Sequence, residues 1–501
     1  MVDAAERIAT LETELARRDV ELVASGARIE DLIALVAKLT KEIAALKSKL
    51  GENSSNSGKP PSSDPPKDRA ARRREAKELR ERQGAGGPRR KQGAQPGHKP
   101  QQRVRLPENE VEVEDAFPEN CGCCGKKLPK LEDDDHVWHQ VTEVPLVKPR
   151  TTEFRLHSVE CNRCGESTRG VLPPGTPPGA FGPRLTAIAA LLTGSHRVSR
   201  RGAQELLHEL LGVRMSLGAL SKCEERVSKA VESAVDAAAA HARGAAVKNV
   251  DATTWYLKNG LCQLWVIATT LVTVFSITAN GKMATVKDLL GTVCGVLVSD
   301  RARAFNFWAM KQRQVCWAHL LRKFVAFATG TGKQAVIGGR LVPRILVMFR
   351  WWKRVRDGEL PREEFQHRMK RLSKKIEVLL EEGAAADEYG LSGSCADILK
   401  HREALWTFVS VVGVEPTNNF AEQQLRSGVQ LRRLSMGSQS ERGLRFVERT
   451  LTIAKTLAAQ RRHDQRTTTV LEFLTAACTS AWAGQQGPSL VPKPAVTRIA
   501  A

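Results

Sequence analysis

Residues 246–253 read AVKNVDAT, 261–270 LCQLWVIATT and 271–278 LVTVFSIT. β-Branched and aromatic residues dominate these stretches, as in strands that pack against a core. MATVKDLLGTV (283–293) then carries helical spacing, and GVLVSD (295–300) is a short buried strand that ends on an acid. Strands interleaved with a helix predict an α/β layer. Asp251 is expected near the end of the first strand and Asp300 closes the last, so neighbouring strands can bring two carboxylates together. Singly, each aspartate is an ordinary turn former or helix cap. As a pair they suit phosphoryl transfer on nucleic acid, in which carboxylates hold two divalent ions about 4 Å apart across the scissile phosphate. Two aspartates and one further acid would suffice for Mg²⁺, which keeps several of its waters.

Downstream, RQVCWAHLLRKF (313–324) reads as a short strand running into a helix. Cys316 and His319 have a metal-compatible spacing, but without a second pair nearby they read as packing or hydrogen-bonding residues. Residues 331–413 are mostly helical and basic, including RILVMFRWWKRVRDG and REEFQHRMKRLSKKIEVLLEEG, and their charge alone does not separate a DNA-facing insertion from a solvated one. PTNNFAEQQLR (416–426) follows, with Thr417 or Asn418 able to cap a helix that carries Glu422. In isolation Glu422 would pair with Arg426 at i,i+4, a contribution of only about 0.2–0.5 kcal/mol.

Upstream of the strands, helices are expected over 183–193, from Ser199 to Leu211 and from Ser216 to about Val231. Ser199 and Ser216 serve as N-caps and Gly212 closes the second helix. The short turn GVRM makes the last two resemble a helix-turn-helix, with Arg197, Arg200, Arg201 and Arg214 supplying charge for DNA. Further upstream, C-x2-C at Cys121 and Cys124 is repeated at Cys161 and Cys164, a spacing that suits one structural Zn²⁺ in a zinc ribbon with hairpin strands at HQVTEVPLV (139–147) and TEFRLHSVE (152–160). Cys123, His136 and His139 are alternative ligands.

At the N-terminus, Ile8, Leu15, Leu22, Ile29, Val36, Ile43 and Leu50 hold one heptad register, and Leu11, Leu32, Leu39 and Leu46 its partner, predicting a parallel dimeric coiled coil. The Ser-, Pro-, Gly- and Arg-rich stretch that follows reads as a flexible basic linker, with a short helix at ARRREAKELRERQ. Over the whole 501-residue chain the formal net charge is +22, which points to a polyanionic partner, double-stranded DNA first. No apolar run is long enough to span a bilayer, and the acidic, helical N-terminus lacks a signal-peptide pattern, so no membrane association and a cytoplasmic location are expected. Eleven cysteines in this length form no dense disulfide framework.

The N-terminal coil, NSSNSGKPPSSD and GAQPGH in the linker, the paired cysteines, GVLVSD, CWAHLLRKF and PTNNFAEQQLR together resemble the TnpC-type transposases of the insertion sequence sixty-six family, over nearly the whole chain. The resemblance implies a D-D-E transposase with an RNase-H-like core, the triad falling on Asp251, Asp300 and Glu422, with Mg²⁺ or Mn²⁺ as two active-site ions. It departs at Ala252, Arg301 and Gln423, where Glu, Gly and Arg are usual. The implied fold is multidomain α/β: coiled coil (1–50), basic linker (51–107), zinc ribbon (108–172), helix-turn-helix region (180–235), RNase-H-like core (245–330 and 414–485) interrupted by a helical insertion (331–413), and a disordered tail (486–501). Implied partners are the terminal inverted repeats and target DNA in a bacterial cell, a second copy through the coil, and companion proteins of the same element. Arg426, Arg432 and Arg433 are candidate phosphate contacts near the active site. The competing expectation is a catalytically inactive DNA-binding or regulatory protein derived from such an enzyme.

Overall fold

The computed structural model describes residues 14–15, 17–18, 21–22, 25–26, 28–36, 38–39, 104–133, 135–177, 179–462 and 467–492. The linker as far as 103, its short helix, the outer turns of the heptad and the end of the tail lie outside the described residues. The chain divides into one unit of residues 65–150 and another of residues 1–64 and 151–501.

In the first unit, a 3-10 turn at Glu108–Glu110 precedes a knuckle in which the Cys121 N–H donates to the Lys126 carbonyl (2.9 Å) and the Gly125 N–H to the Cys121 carbonyl (2.9 Å). The alternating stretch 139–147 is not a strand: it forms no ladder, and Val141, Val144 and Leu146 are exposed. Alternation suits one face of a sheet, but a strand also needs a neighbouring edge for its N–H and C=O groups.

In the second unit, the described residues of 14–39 are helical, with Leu15, Leu22, Ile29, Leu32 and Leu39 exposed along the heptad. The hairpin β1 (Ser158–Glu160) and β2 (Ser167–Arg169) carries a second knuckle, so only the last three residues of 152–160 are strand. Helices α1 (Pro183–Thr193), α2 (Arg200–Leu211) and α3 (Leu217–Ala230) follow as the caps require. Ser199 accepts the Gly202 N–H (3.0 Å), Ser216 accepts the Ala219 N–H (3.1 Å), and Gly212 takes the left-handed conformation (φ 63°) that ends α2. Helix α3 buries Leu220, Cys223, Glu224, Val227 and Ser228, while Leu217 and Gly218 of its first turn and Lys222 of its second are exposed. Helix α4 (Glu232–Gly244) leads into the sheet.

The sheet is mixed, in the order β5-β4-β3-β6-β7: β3 (Val247–Leu257), β4 (Gly260–Ala268) and β5 (Thr273–Thr278) form an antiparallel meander, and β6 (Val296–Ser299) and β7 (Arg313–Val315) extend it in parallel from β3. Helix α5 (Met283–Leu290) crosses from β5 to β6. Both faces are covered. On one, Val250, Trp265, Ile267, Val274 and Leu297 pack among helices including α1, α3 and α4. On the other, Trp255, Leu264, Val266 and Phe275 meet Ala421, Leu425 and Leu431 of α11 (Asn419–Ser435), and Val296 and Val298 join the core of the helical insertion.

The expected insertion (331–413) holds α7 (Gly332–Arg356), α8 (Arg362–Ala385), α9 (Leu391–Leu399) and the short α10 (Thr407–Ser410), and α6 (Trp317–Ala328), whose N-terminus starts at the sheet, joins its core around residues such as Phe324, Met348, Phe365 and Phe408. At the opposite edge, α12 (Glu441–Arg462) replaces a sixth strand. The N–H groups of Thr273, Phe275 and Ile277 donate to Thr456 Oγ1 (3.0 Å), Thr452 Oγ1 (3.0 Å) and Glu448 Oε1, and Gln460 Nε2 donates to the Leu271 carbonyl (2.9 Å). Four helical residues rise about 6.0 Å and two strand residues about 6.7 Å, so side chains at i, i+4 and i+8 can reach every second strand N–H. Helix α13 (Val470–Trp482) packs against α1 and α3.

Candidate active site

Asp251 lies mid-strand, not near a strand end as its sequence context implied: β3 continues to Leu257, paired throughout with β4. What ends beside it is β6. The parallel pairing of β3 and β6 stops at Asn249 and Val298, and two residues further along each chain lie Asp251 and Asp300. Alternation turns both to one side, Asp251 with Trp255 and Asp300 with Val296 and Val298, the face that α11 and the insertion cover. Both are anchored locally: Asp251 Oδ1 accepts its neighbour Ala252's N–H (2.9 Å), and Asp300 Oδ1 accepts that of Ala302 (2.9 Å). The buried Arg313 of β7 donates from Nη2 to the Asp300 carbonyl (2.7 Å), fixing the backbone there.

Glu422 arrives on the first turn of α11. The buried Asn418 determines where that turn starts: its Nδ2 donates to the Val250 carbonyl (2.8 Å), one residue before Asp251, and its N–H donates to Cys316 Sγ (3.2 Å). The Trp317 N–H donates to the Pro416 carbonyl (2.9 Å), joining the start of α6 to the same segment. The far end of α11 is held to the same strand, since Ser438 donates to the Tyr256 carbonyl (2.8 Å) and accepts from the Lys258 N–H (2.8 Å).

The partners of Glu422 are not Arg426, which is exposed on α11, but Arg322 and His319 of α6. Glu422 Oε1 lies 3.5 Å from Arg322 Nη2 and 3.6 Å from His319 Nδ1. Burial, followed by the charges of Asp300 and Glu422, pushes the Asp251 carboxyl up to about 7. Burial and then Arg322 hold His319 below its ordinary value, and burial raises the Cys316 thiol to about 11. Both Glu422 Oε1 and His319 Nδ1 are buried without a hydrogen-bond partner. The unmet Glu422 Oε1 beside His319 Nδ1 fits a divalent cation, whereas Arg322, already paired with Glu422, carries like charge to such an ion. Among the described residues, the group of three donors within 4.8 Å of one another is Cys316, His319 and Glu422, a set that could hold a metal ion. The three-residue spacing of Cys316, His319 and Arg322 on one face of α6 is the sequence signal for it.

The arginines divide into two groups. Arg200 is bound to the buried Glu224 (2.6 Å), Arg197 to Gln430 of α11, and Arg432 to Thr253 Oγ1 (3.0 Å) and Thr254 of β3, so these three brace the fold. Arg201, Arg214, Arg426 and Arg433 are exposed.

The two cysteine pairs sit on matching knuckles. The second repeats the first, with Cys161 N–H to Glu166 carbonyl (2.9 Å) and Gly165 N–H to Cys161 carbonyl (2.8 Å). In both, a glycine follows the second cysteine at positive φ, Gly125 at 74° and Gly165 at 73°, a conformation other residues rarely adopt. Backbone N–H groups of Cys124 and Cys123 hold the Cys121 thiol below its ordinary value, and those of Arg163 and Cys164 do the same for Cys161.

Residues 9–104 match a family of unknown function (DUF6444). No curated protein matches the chain. Residues 178–446, more than half of the chain and including Asp251, Asp300, His319, Arg322 and Glu422, match the Transposase IS66 family, and the chain belongs to that family.

Proposed function

We propose that this transposase acts by D-D-E chemistry on an RNase-H-like core, cleaving DNA at the ends of its element and joining them to a target. The observation that supports this most is the placement of Asp251 and Asp300 two residues past the last β3–β6 pair, with Asn418 tying the first turn of α11, which carries Glu422, to Val250 of β3. These three would hold two Mg²⁺ or Mn²⁺ ions. Bound there, the ions supply Lewis-acid charge that polarises the phosphodiester and makes water a better nucleophile.

The protein's own groups hold the reacting parts in line. Asn418 fixes Glu422 against β3, Arg313 fixes the Asp300 backbone, and Arg322 offsets the negative charge gathered around the phosphate. In the first step phosphorus bonds to the oxygen of water and releases the 3′-oxygen, which leaves as a hydroxyl carrying a proton from that water. In the second, the 3′-oxygen bonds to a target phosphorus and the target's own 3′-oxygen departs with the proton. Neither step needs an oxidant or a protein-bound intermediate.

DNA would be held by the helix-turn-helix region, where the exposed first turn of α3 is the end that enters a groove in this motif, and by the exposed Arg201, Arg214, Arg426 and Arg433. Terminal inverted repeats are the expected sequence-specific ligand. Cys121, Cys124, Cys161 and Cys164 are the proposed ligands for structural Zn²⁺, and the exposed heptad would pair with a second copy. Cytoplasmic action and help from companion proteins of the element complete the proposal. No described helix is long and apolar enough to cross a membrane.

Cleavage of a duplex carrying the element's ends, with Mg²⁺ or Mn²⁺ and the companion proteins, tests the reading. Glu422→Gln should retain binding and lose nicking by about a thousandfold or more, several kcal/mol of transition-state stabilisation. Unchanged nicking would remove Glu422 from the mechanism, and a wild-type chain that binds but never nicks would overturn the enzyme reading.

A further inference from the structure

We infer that the solvent face of α8, carrying His367, Lys370, Arg371, Lys374 and Lys375, is a docking surface for the backbone of duplex DNA, an inference that rests on the transposase reading above. Helix α8 buries Phe365, Met369, Leu372, Ile376, Leu379 and Leu380 in the insertion core and turns these five basic residues outward. Four of its acids are engaged, Glu364 with Arg368, Glu377 and Glu381 with Arg402, and Glu382 with Arg340 of α7, which leaves the exposed Glu363 at the N-terminal end without an ion-pair partner among the described residues. None of Lys370, Arg371, Lys374 and Lys375 has an ion-pair partner among the described residues, although acids lie one turn away on the same helix.

A face kept merely for solubility mixes its signs. This one places like charges at i,i+3 or i,i+4 in Lys370–Lys374, Arg371–Lys374 and Arg371–Lys375, each pair costing the helix a few tenths of a kcal/mol. A polyanion offsets that cost. From His367 to Lys375 the row is about 12 Å long, and duplex DNA presents a charge about every 1.7 Å of its axis, so all four permanent cations can find phosphates. Contacts of this kind carry no sequence information, so the surface would set affinity and position and leave recognition of the ends to other parts of the chain.

The test is the salt dependence of binding by the full, zinc-loaded chain to a duplex carrying the element's ends. Neutralising Lys370, Arg371, Lys374 and Lys375 to Gln should lower the slope of log K against log salt by about three units and weaken binding at least tenfold at 0.1 M salt. The melting temperature should hold or rise as the like-charge contacts disappear. A control with Lys258, Lys287, Lys311 and Lys400 changed to Gln carries the same loss of charge from scattered exposed sites, and should move the slope by less than one unit. Wild-type binding with the same slope in the α8 variant, or an equal fall in the control, overturns the docking surface alone. A wild-type chain that binds no duplex overturns this inference together with the proposed function.

Discussion

Helices α11 and α12 meet the same sheet with similar polar side chains put to opposite use. Along α12, Glu448, Thr452, Thr456 and Gln460 reach the backbone of the β5 edge, so most of the buried polarity there is consumed by the fold, with Gln460 Oε1 and Thr273 Oγ1 left over. Around the first turn of α11, Glu422 Oε1, Asn418 Oδ1 and His319 Nδ1, with Asn249 Oδ1 of β3, are buried acceptors or ring nitrogens left unmet. Burying an unsatisfied polar group costs free energy, so a cluster of them marks a place kept for something that binds. One seam closes the sheet's edge; the other leaves polar atoms open beside the acids proposed to hold metal ions.

The contrast can be broken most forcefully on the α12 side. Thr452→Val keeps the shape but strands the Phe275 N–H, and should cost about 1–3 kcal/mol in chemical denaturation with an unchanged m-value. A loss under about 0.5 kcal/mol would mean that the ladder does not support the edge. On the α11 side, Arg322→Met removes a like charge from beside the proposed cation site. Mn²⁺ should then bind the otherwise metal-free, zinc-loaded chain about five- to tenfold more tightly in calorimetric titration. Equal or weaker binding would show that Arg322 does not compete with the ion. The smallest effect is expected at Glu448, whose carboxyl is raised by burial despite Arg445. Because the folded state favours the protonated form, stability is fuller at low pH and declines as pH rises through the folded value. Glu448→Gln retains an acceptor for the Ile277 N–H, so it should match or exceed wild type at pH 8, by less than about 1 kcal/mol, and lose that advantage near pH 4. A variant weaker at pH 8 than at pH 4 would show that the charge itself is needed.

Much of this was legible in the sequence because it is local. Ser199, Gly212 and Ser216 announce helix boundaries through cap chemistry, and the strands through β-branched and aromatic runs. The continuation of β3 past Asp251 was missed although Asn259–Gly260 supplies a hairpin turn signal. The stretch 139–147 misled in the other direction, since alternation records a preference of side chains and says nothing of the edge a strand must find. Arg322 and the α12 ladder were not readable, because a polar residue at helical spacing looks the same whether it faces water, a carboxylate or a strand edge.

The hydrogen bond from Trp317 N–H to the Pro416 carbonyl puts the departure and return of the insertion side by side. Sequence separation between the second and third acids is therefore not a ruler of the site. Over evolutionary time α7 to α10 can lengthen, shrink or be exchanged without shifting Glu422, provided the replacement still covers the face of α6 and leaves that junction closed. A comparison of related chains should then show the length between α7 and α10 drifting while the residues at its two ends stay fixed.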